Sequence, residues 1–178
     1  MCHFITLVAP THDAEAVRAV LARHGRAASP IDNPPVRKVL RAAERQYLTT
    51  RGHCDCGTVL APRSKPSDGA EKTAKETARM RRRGWSEAKI ARALEDMHKA
   101  DARPSSDGPD TLELWSTLLH DLGDQLHLPY AGLFVRFYSG AVATEVFRAS
   151  RQELPKAVKW HDALSSIMQD EVTIFPLG

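Results

Sequence analysis

Residues 2–10 read Cys-His-Phe-Ile-Thr-Leu-Val-Ala-Pro (CHFITLVAP), a short β-branched and apolar run that ends in proline. A run of this length and composition is a buried strand, and Pro10 closes it because proline has no amide hydrogen for a sheet ladder. Asp13 then caps a helix whose Val17, Val20 and Leu21 fall on one face, and Gly25 stops it after His24. A central strand followed at once by a helix with a single apolar face predicts helices layered on a sheet.

Working outward, a proline-rich turn leads to Asn33, Pro34 and Pro35, which start a short helix over Val36 to Ala43 with Val36, Val39, Leu40 and Ala43 inward. Tyr47 to Arg51 reads as a strand, Gly52 to Gly57 as a tight loop and Thr58 to Ala61 as a further short strand. Arg63 to Gly69 (RSKPSDG) is a linker. Residues 70–83 are helix-prone with almost no large apolar side chain, and they end at Gly84. Ser86 caps the next helix, Trp85 and Ile90 stand at the positions of a hydrophobic staple, and Ile90, Leu94 and Met97 make one apolar stripe. Residues 70–100 therefore form a helical hairpin, and Arg103 to Pro109 is a second linker.

The last part opens with a helix in which Asp110 and Glu113 make an acidic capping pattern and Leu112, Trp115, Leu119, Leu122 and Leu126 recur at helical spacing. Leu133 to Tyr138 is a strand, Ser139-Gly140 a turn and Ala141 to Phe147 its hairpin partner. Pro155 begins a helix carrying Val158, His161, Leu164, Ile167 and Met168 inward, and Val172 to Leu177 is a closing strand placed at an edge by Pro176. Trp115, Trp160 and Phe137 are expected in the core. Strands and helices interleave without a glycine-rich strand-to-helix loop, so the fold expected is α+β. It is a compact two-layer α/β sandwich with an inserted basic helical hairpin. Residues 1–62 and 104–178 are its halves, and residues 63–103 the insert with its linkers.

The chain has 178 residues, 42% of them hydrophobic, and a net charge of +3. Lys plus Arg against Asp plus Glu counts 8 against 5 over residues 1–62, 12 against 7 over 63–103, and 5 against 10 over 104–178. The basic middle suits either the acidic C-terminal part or an acidic partner. Arg79, Arg81, Arg82, Arg83, Lys89 and Arg92 are the residues that would hold phosphates without sequence specificity, against the favoured reading of a solvated basic face. Gly84 to Leu94 (GWSEAKIARAL) resembles the first helix of a helix-turn-helix, but Glu95 and Asp96 follow and then Pro104 and Ser105, which leaves no recognition helix.

No apolar run approaches the roughly 18 residues that span a bilayer, and no secretory pattern opens the chain, so a cytoplasmic protein without a membrane partner is expected. Phosphate-binding loops, HExxH, GxSxG and paired-carboxylate motifs do not occur, which leaves common hydrolase and nucleotide-binding readings without support. His120, Asp121, Asp124 and His127 lie near the end of one helix, with His120 and Asp124 on a shared face as a lesser candidate for ligand or acid-base work.

The chemically pointed residues are the cysteines, all three in two clusters with a histidine beside each, Cys2-His3 and His53-Cys54-Asp55-Cys56. An odd count in a reducing compartment favours metal binding or thiol chemistry over a disulfide framework. If Tyr47 to Arg51 runs antiparallel to the first strand, its end lies beside that strand's start and Cys54 and Cys56 meet Cys2. Parallel pairing of residues 2–10 with 56–62 would bring about the same meeting. Cys2, Cys54 and Cys56 with His3 or His53 then make a Cys₃His set, a recognised structural zinc environment, although Cys-x-Cys is tighter than the usual knuckle spacing. The competing readings are a redox pair of Cys54 with Cys56, a nucleophile at Cys2 or Cys54, and ordinary buried thiols.

The Met1-Cys2 start resembles two families that expose an N-terminal cysteine nucleophile, the class II glutamine amidotransferases and the abasic-site-binding SRAP proteins. In both, loss of Met1 would make Cys2 the first residue and pair its thiol with the α-amine as base. The likeness covers two residues, and His3-Phe4 stands where those families have a glycine-containing start. The function expected is a binding or regulatory protein with a structural zinc site and another protein as partner. A thiol-dependent enzyme, a pure interaction protein such as an inhibitor or toxin-neutralising protein, and a non-specific nucleic-acid binder are the alternatives.

Overall fold

A computed structural model describes residues 2–50, 52–61 and 110–178, together with residues 74, 77, 78, 81, 85–92 and 94. Residues 1–62 and 109–178 form one compact unit and residues 63–108 another. In chain order the first unit contains β1 (Cys2–Ala9), α1 (Ala14–Arg23), β2 (Ser29–Ile31), α2 (Pro34–Arg37) and β3 (Arg45–Leu48). It continues with α3 (Leu112–Leu126), β4 (Tyr130–Tyr138), β5 (Ser150–Glu153), α4 (Trp160–Ser165) and β6 (Glu171–Pro176). The fold is α+β, with one sheet of six strands in the order β2-β3-β1-β4-β6-β5. All neighbours are antiparallel except β5 and β6.

β1 lies inside the sheet, flanked by β3 and β4, and its Ile5, Leu7, Val8 and Ala9 are fully buried. Alternation along the strand sends Ile5, Leu7 and Ala9 to one face and Val8 to the other. The first face packs on Val17, Val20 and Leu21 of α1, on Trp115, Leu118, Leu119 and Leu122 of α3, and on Ala163 and Leu164 of α4. The second is covered by Val36 of α2 and by Phe147 and Ala149 of the chain before β5, which meet Phe134, Tyr138, Val172 and Ile174. Both faces are therefore dry, which is why the middle of β4 reads as an unbroken apolar run.

α1 ends in a way that matters for the site. Gly25 adopts φ 59°, and the amides of Gly25 and Arg26 return to the carbonyls of Ala22 and Leu21, both at 2.9 Å. This is a Schellman motif, and the left-handed residue that it needs is the glycine. It turns the chain so that Arg26, a residue whose charge belongs in water, is only 5% exposed.

In the second unit, residues 87–92 and 94 are helical. Ser86 begins that helix, its carbonyl accepting from Ile90 N at 2.9 Å and its hydroxyl from Lys89 N at 3.4 Å. Residues 74, 77, 78 and 81 are helical too, and Ile90 is buried. The linkers expected at 63–69 and 103–109 lie outside the described residues.

Several expectations are corrected. Thr58 to Ala61 forms no strand; it closes into turns, with Thr58 N–H bonded to Asp55 O and Gly57 N–H to Ala61 O. Ala141 to Phe147 forms none either, because Glu145 folds back and takes the amides of Ser139 and Gly140 at 2.8 and 3.0 Å and the Arg136 guanidinium at 2.9 Å. β6 is internal; the edge is β5, which pairs with it in parallel, and Pro176 sits only at the strand's last position. The helix expected from Val36 to Ala43 is one turn starting at Pro34, and that expected from Pro155 begins at Trp160. On the latter, the His161 side chain is 63% exposed, so it does not belong to an inward face, and Met168 lies beyond the helix end. Trp115 is fully buried, whereas Trp160 and Phe137 are half-buried. α3 is capped by Thr111, whose hydroxyl accepts from Leu114 N at 3.2 Å, which leaves Asp110 for other partners.

Candidate metal centre

β3 runs antiparallel to β1 from Arg45 opposite Ala9 to Leu48 opposite Thr6. Thr49 N–H continues the ladder to Ile5 O at 3.0 Å, after which the chain leaves the edge and returns as the 52–57 loop. Asp55 N–H bonds His3 O at 2.9 Å, and His3 N–H donates to Cys56 Sγ at 3.1 Å. The loop thus completes the hydrogen bonding of β1 where β3 has ended. The consequence is chemical: the sulfurs of Cys2, Cys54 and Cys56 all lie within 4.8 Å of one another, close enough to hold a metal ion.

The three thiols are unbridged and half-buried. Tetrahedral zinc places its thiolates about 3.8 Å apart and a thiolate and an imidazole nitrogen about 3.6 Å apart. His3 Nδ1 is 3.7 Å from Cys56 Sγ, its Nε2 is 3.2 Å from Gln169 Nε2, and its ring meets Phe137 edge-on with centroids 4.9 Å apart. Of the two histidines expected beside the cysteines, His3 reaches one of them, Cys56, and its Nε2 accepts from the Gln169 amide. His53 is exposed, and neither histidine belongs to the group of atoms that lie within 4.8 Å of one another.

Burial pushes the Cys56 thiol up to about 11, with the neighbouring sulfurs adding to the shift and the His3 amide opposing it. Burial also raises the Cys2 thiol, as does its hydrogen bond with Cys54. A nucleophilic cysteine needs the opposite shift, a thiolate already populated at neutral pH. A bound cation would make these sulfurs anionic by displacing their protons.

Between the two loop cysteines, Asp55 points the other way, into the protein. Its carboxylate accepts from Ile5 N at 2.9 Å, Thr50 Oγ1 at 2.6 Å and Arg26 Nη1 at 2.5 Å. Arg26 also bonds Asp110, and its guanidinium lies 4.5 Å over the Trp115 ring. Asp110 accepts in addition from Trp115 Nε1 at 3.1 Å and Val59 N at 3.0 Å. Sequence reading gives Arg26 no role, makes Asp110 part of a helix-capping pattern and leaves Asp55 as a spacer. The available signal was Arg26 directly after the helix-stopping glycine, where a Schellman turn directs the next side chain back over the helix end.

The remaining candidates do not assemble. Asp121 pairs with His24 at 2.8 Å across α1 and α3, while His120 stacks on Trp160 with centroids 4.2 Å apart. In the basic segment, Arg81 is engaged by Glu87 at 2.7 Å, Lys89 lies 4.2 Å over Trp85, and Arg92 is exposed. Arg79, Arg82 and Arg83 lie outside the described residues. Among the described residues, no helix is long and apolar enough to cross a membrane.

No known protein family, curated protein or solved structure matches this chain.

Proposed function

We propose that this is a cytosolic binding or regulatory protein whose Cys2, Cys54 and Cys56 hold one zinc ion in a structural role, with His3 Nδ1 as the fourth ligand. The observation that carries the reading is the meeting of three sulfurs within 4.8 Å from segments some fifty residues apart. Three thiolates and one imidazole close a tetrahedron around zinc and leave no position for a reacting water, which makes the role structural. The ion would fasten the 52–57 loop to the start of β1, where one backbone bond and the His3 N–H contact with Cys56 Sγ already hold it. Zinc is preferred to harder cations because the ligands are soft. The raised thiol of Cys2 counts against that residue as a nucleophile. Another protein is the partner this reading favours, since the described part of the basic segment has already spent Arg81 on Glu87.

Elemental mass spectrometry of tag-free protein, with iron and copper read together with zinc, tests the proposal. The expected result is close to one zinc per chain, lost in Cys56→Ser. A folded protein that takes up no thiophilic metal when purified or when titrated with zinc would overturn it.

A further inference from the structure

We infer that the buried chain Asp110–Arg26–Asp55 couples the thiol site to the place where the 63–108 excursion leaves and rejoins the first unit. The inference rests on the metal reading above and adds a regulated connection to it. Asp55 is the residue between Cys54 and Cys56, so whatever fixes its carboxylate fixes the directions of both thiols. That carboxylate is 2% exposed and fully engaged, by a strand amide, a hydroxyl and a guanidinium. The guanidinium is 3% exposed and is shared with Asp110, 12% exposed. Asp110 in turn accepts the amide of Val59, four residues before the excursion begins, and itself stands two residues after the excursion ends.

One guanidinium thus serves two carboxylates, one behind the metal ligands and one at the junction. Hydrogen-bonded, desolvated ion pairs of this kind have few alternative arrangements, because a released partner leaves a buried charge unpaired. Displacing the loop to accommodate or release an ion must move Asp55, and Arg26 then carries the change to Asp110, Trp115 Nε1 and the Val59 amide. Coupling between two sites is reciprocal, so anything that opens the junction weakens metal binding by the factor by which metal closes the junction. Asp55, Arg26 and Asp110 are positioning residues in this account and touch no ion themselves.

The test compares zinc affinity, by competition with a chromophoric chelator, in wild type, Asp110→Asn and Thr50→Val. Two-dimensional NMR reads the Trp115 indole N–H and the Val59 amide of the wild-type protein. Residues that orient metal ligands cost about 10- to 100-fold in affinity when replaced. Asp110→Asn, 54 positions from Cys56 and not a ligand, should therefore weaken zinc binding at least tenfold. Zinc should shift the indole resonance and slow exchange of the Val59 amide. Thr50→Val removes one hydrogen bond to Asp55 and leaves Arg26 in place, so it decides the matter if Asp110→Asn does not fold; it too should bind more weakly. The inference falls if wild type holds one zinc while the folded variants bind it within twofold of wild type and the two resonances ignore the metal. If wild type binds no zinc, the metal reading itself fails and this coupling with it.

Discussion

Arg26→Met should lower the stability of the first unit by about 3–5 kcal/mol, the cost of breaking a buried ion pair from one side. The structure locates that loss. Methionine is long enough to fill most of the space over Trp115, where the guanidinium now lies 4.5 Å from the ring, so packing is largely kept. Asp55 keeps Ile5 N and Thr50 Oγ1 on one oxygen but loses the Arg26 contact of 2.5 Å on the other. Asp110 keeps Trp115 Nε1 and Val59 N, so the heavier penalty falls on Asp55. For a chain of this size each kcal/mol moves Tm by about 2–4 °C, which predicts a fall of about 6–20 °C by circular dichroism. Arg26→Met with Asp55→Asn should recover part of the loss, because the amide carries no charge to strand; contacting residues couple by about 0.5–3 kcal/mol in such a cycle. A Tm for Arg26→Met within about 2 °C of wild type would refute the idea that this guanidinium holds the loop.

Gln169→Glu should tighten zinc binding about tenfold, because an acceptor beside His3 Nε2 holds the ring proton there and leaves Nδ1 free for the ion, where the Gln169 amide nitrogen now donates to Nε2 at 3.2 Å; chelator competition reads the affinity. Glu44 supplies the pH dependence: burial alone would raise its carboxyl, but the paired N–H groups of Arg151 and the Arg41 amide bring it below the usual value. A lowered folded pKa contributes stability above the ordinary glutamate range and loses it as pH falls through the folded value, so Glu44→Gln should cost about 1–3 kcal/mol by urea denaturation at neutral pH and progressively less as pH falls below the ordinary glutamate range. Gly132→Ala puts a Cβ 2.7 Å from Ile174 Cδ1 and 3.2 Å from both Val8 and Val172 in the middle of the sheet, and should destabilise by about 1–3 kcal/mol in the same assay.

The elements read well from sequence are those whose signals are local. Pro10 ends β1 within a residue, Asp13 caps α1 with its oxygen 2.9 Å from Ala16 N, and Gly25 stops that helix in the conformation only glycine adopts cheaply. The meeting of the cysteines was legible too, because antiparallel pairing of one strand with the segment before the loop leaves the clusters few places to be. What was not legible depends on distant partners. The polar sequence Ser150 to Glu153 becomes a strand only because β6 offers it an edge, and Ala141 to Phe147 fails to become one because Glu145 finds Arg136. Asp110 looks like a helix cap until Arg26, 84 residues earlier, claims it. Period and turn chemistry carry no record of such pairings.

X-ray absorption at the zinc edge of the loaded protein addresses the central claim most directly, because it counts the atoms around the ion. The account predicts three sulfurs at about 2.3 Å and one nitrogen at about 2.0 Å, falling to two sulfurs in Cys2→Ser. A shell of oxygen and nitrogen alone, or a sulfur count that Cys2→Ser leaves unchanged, would contradict it.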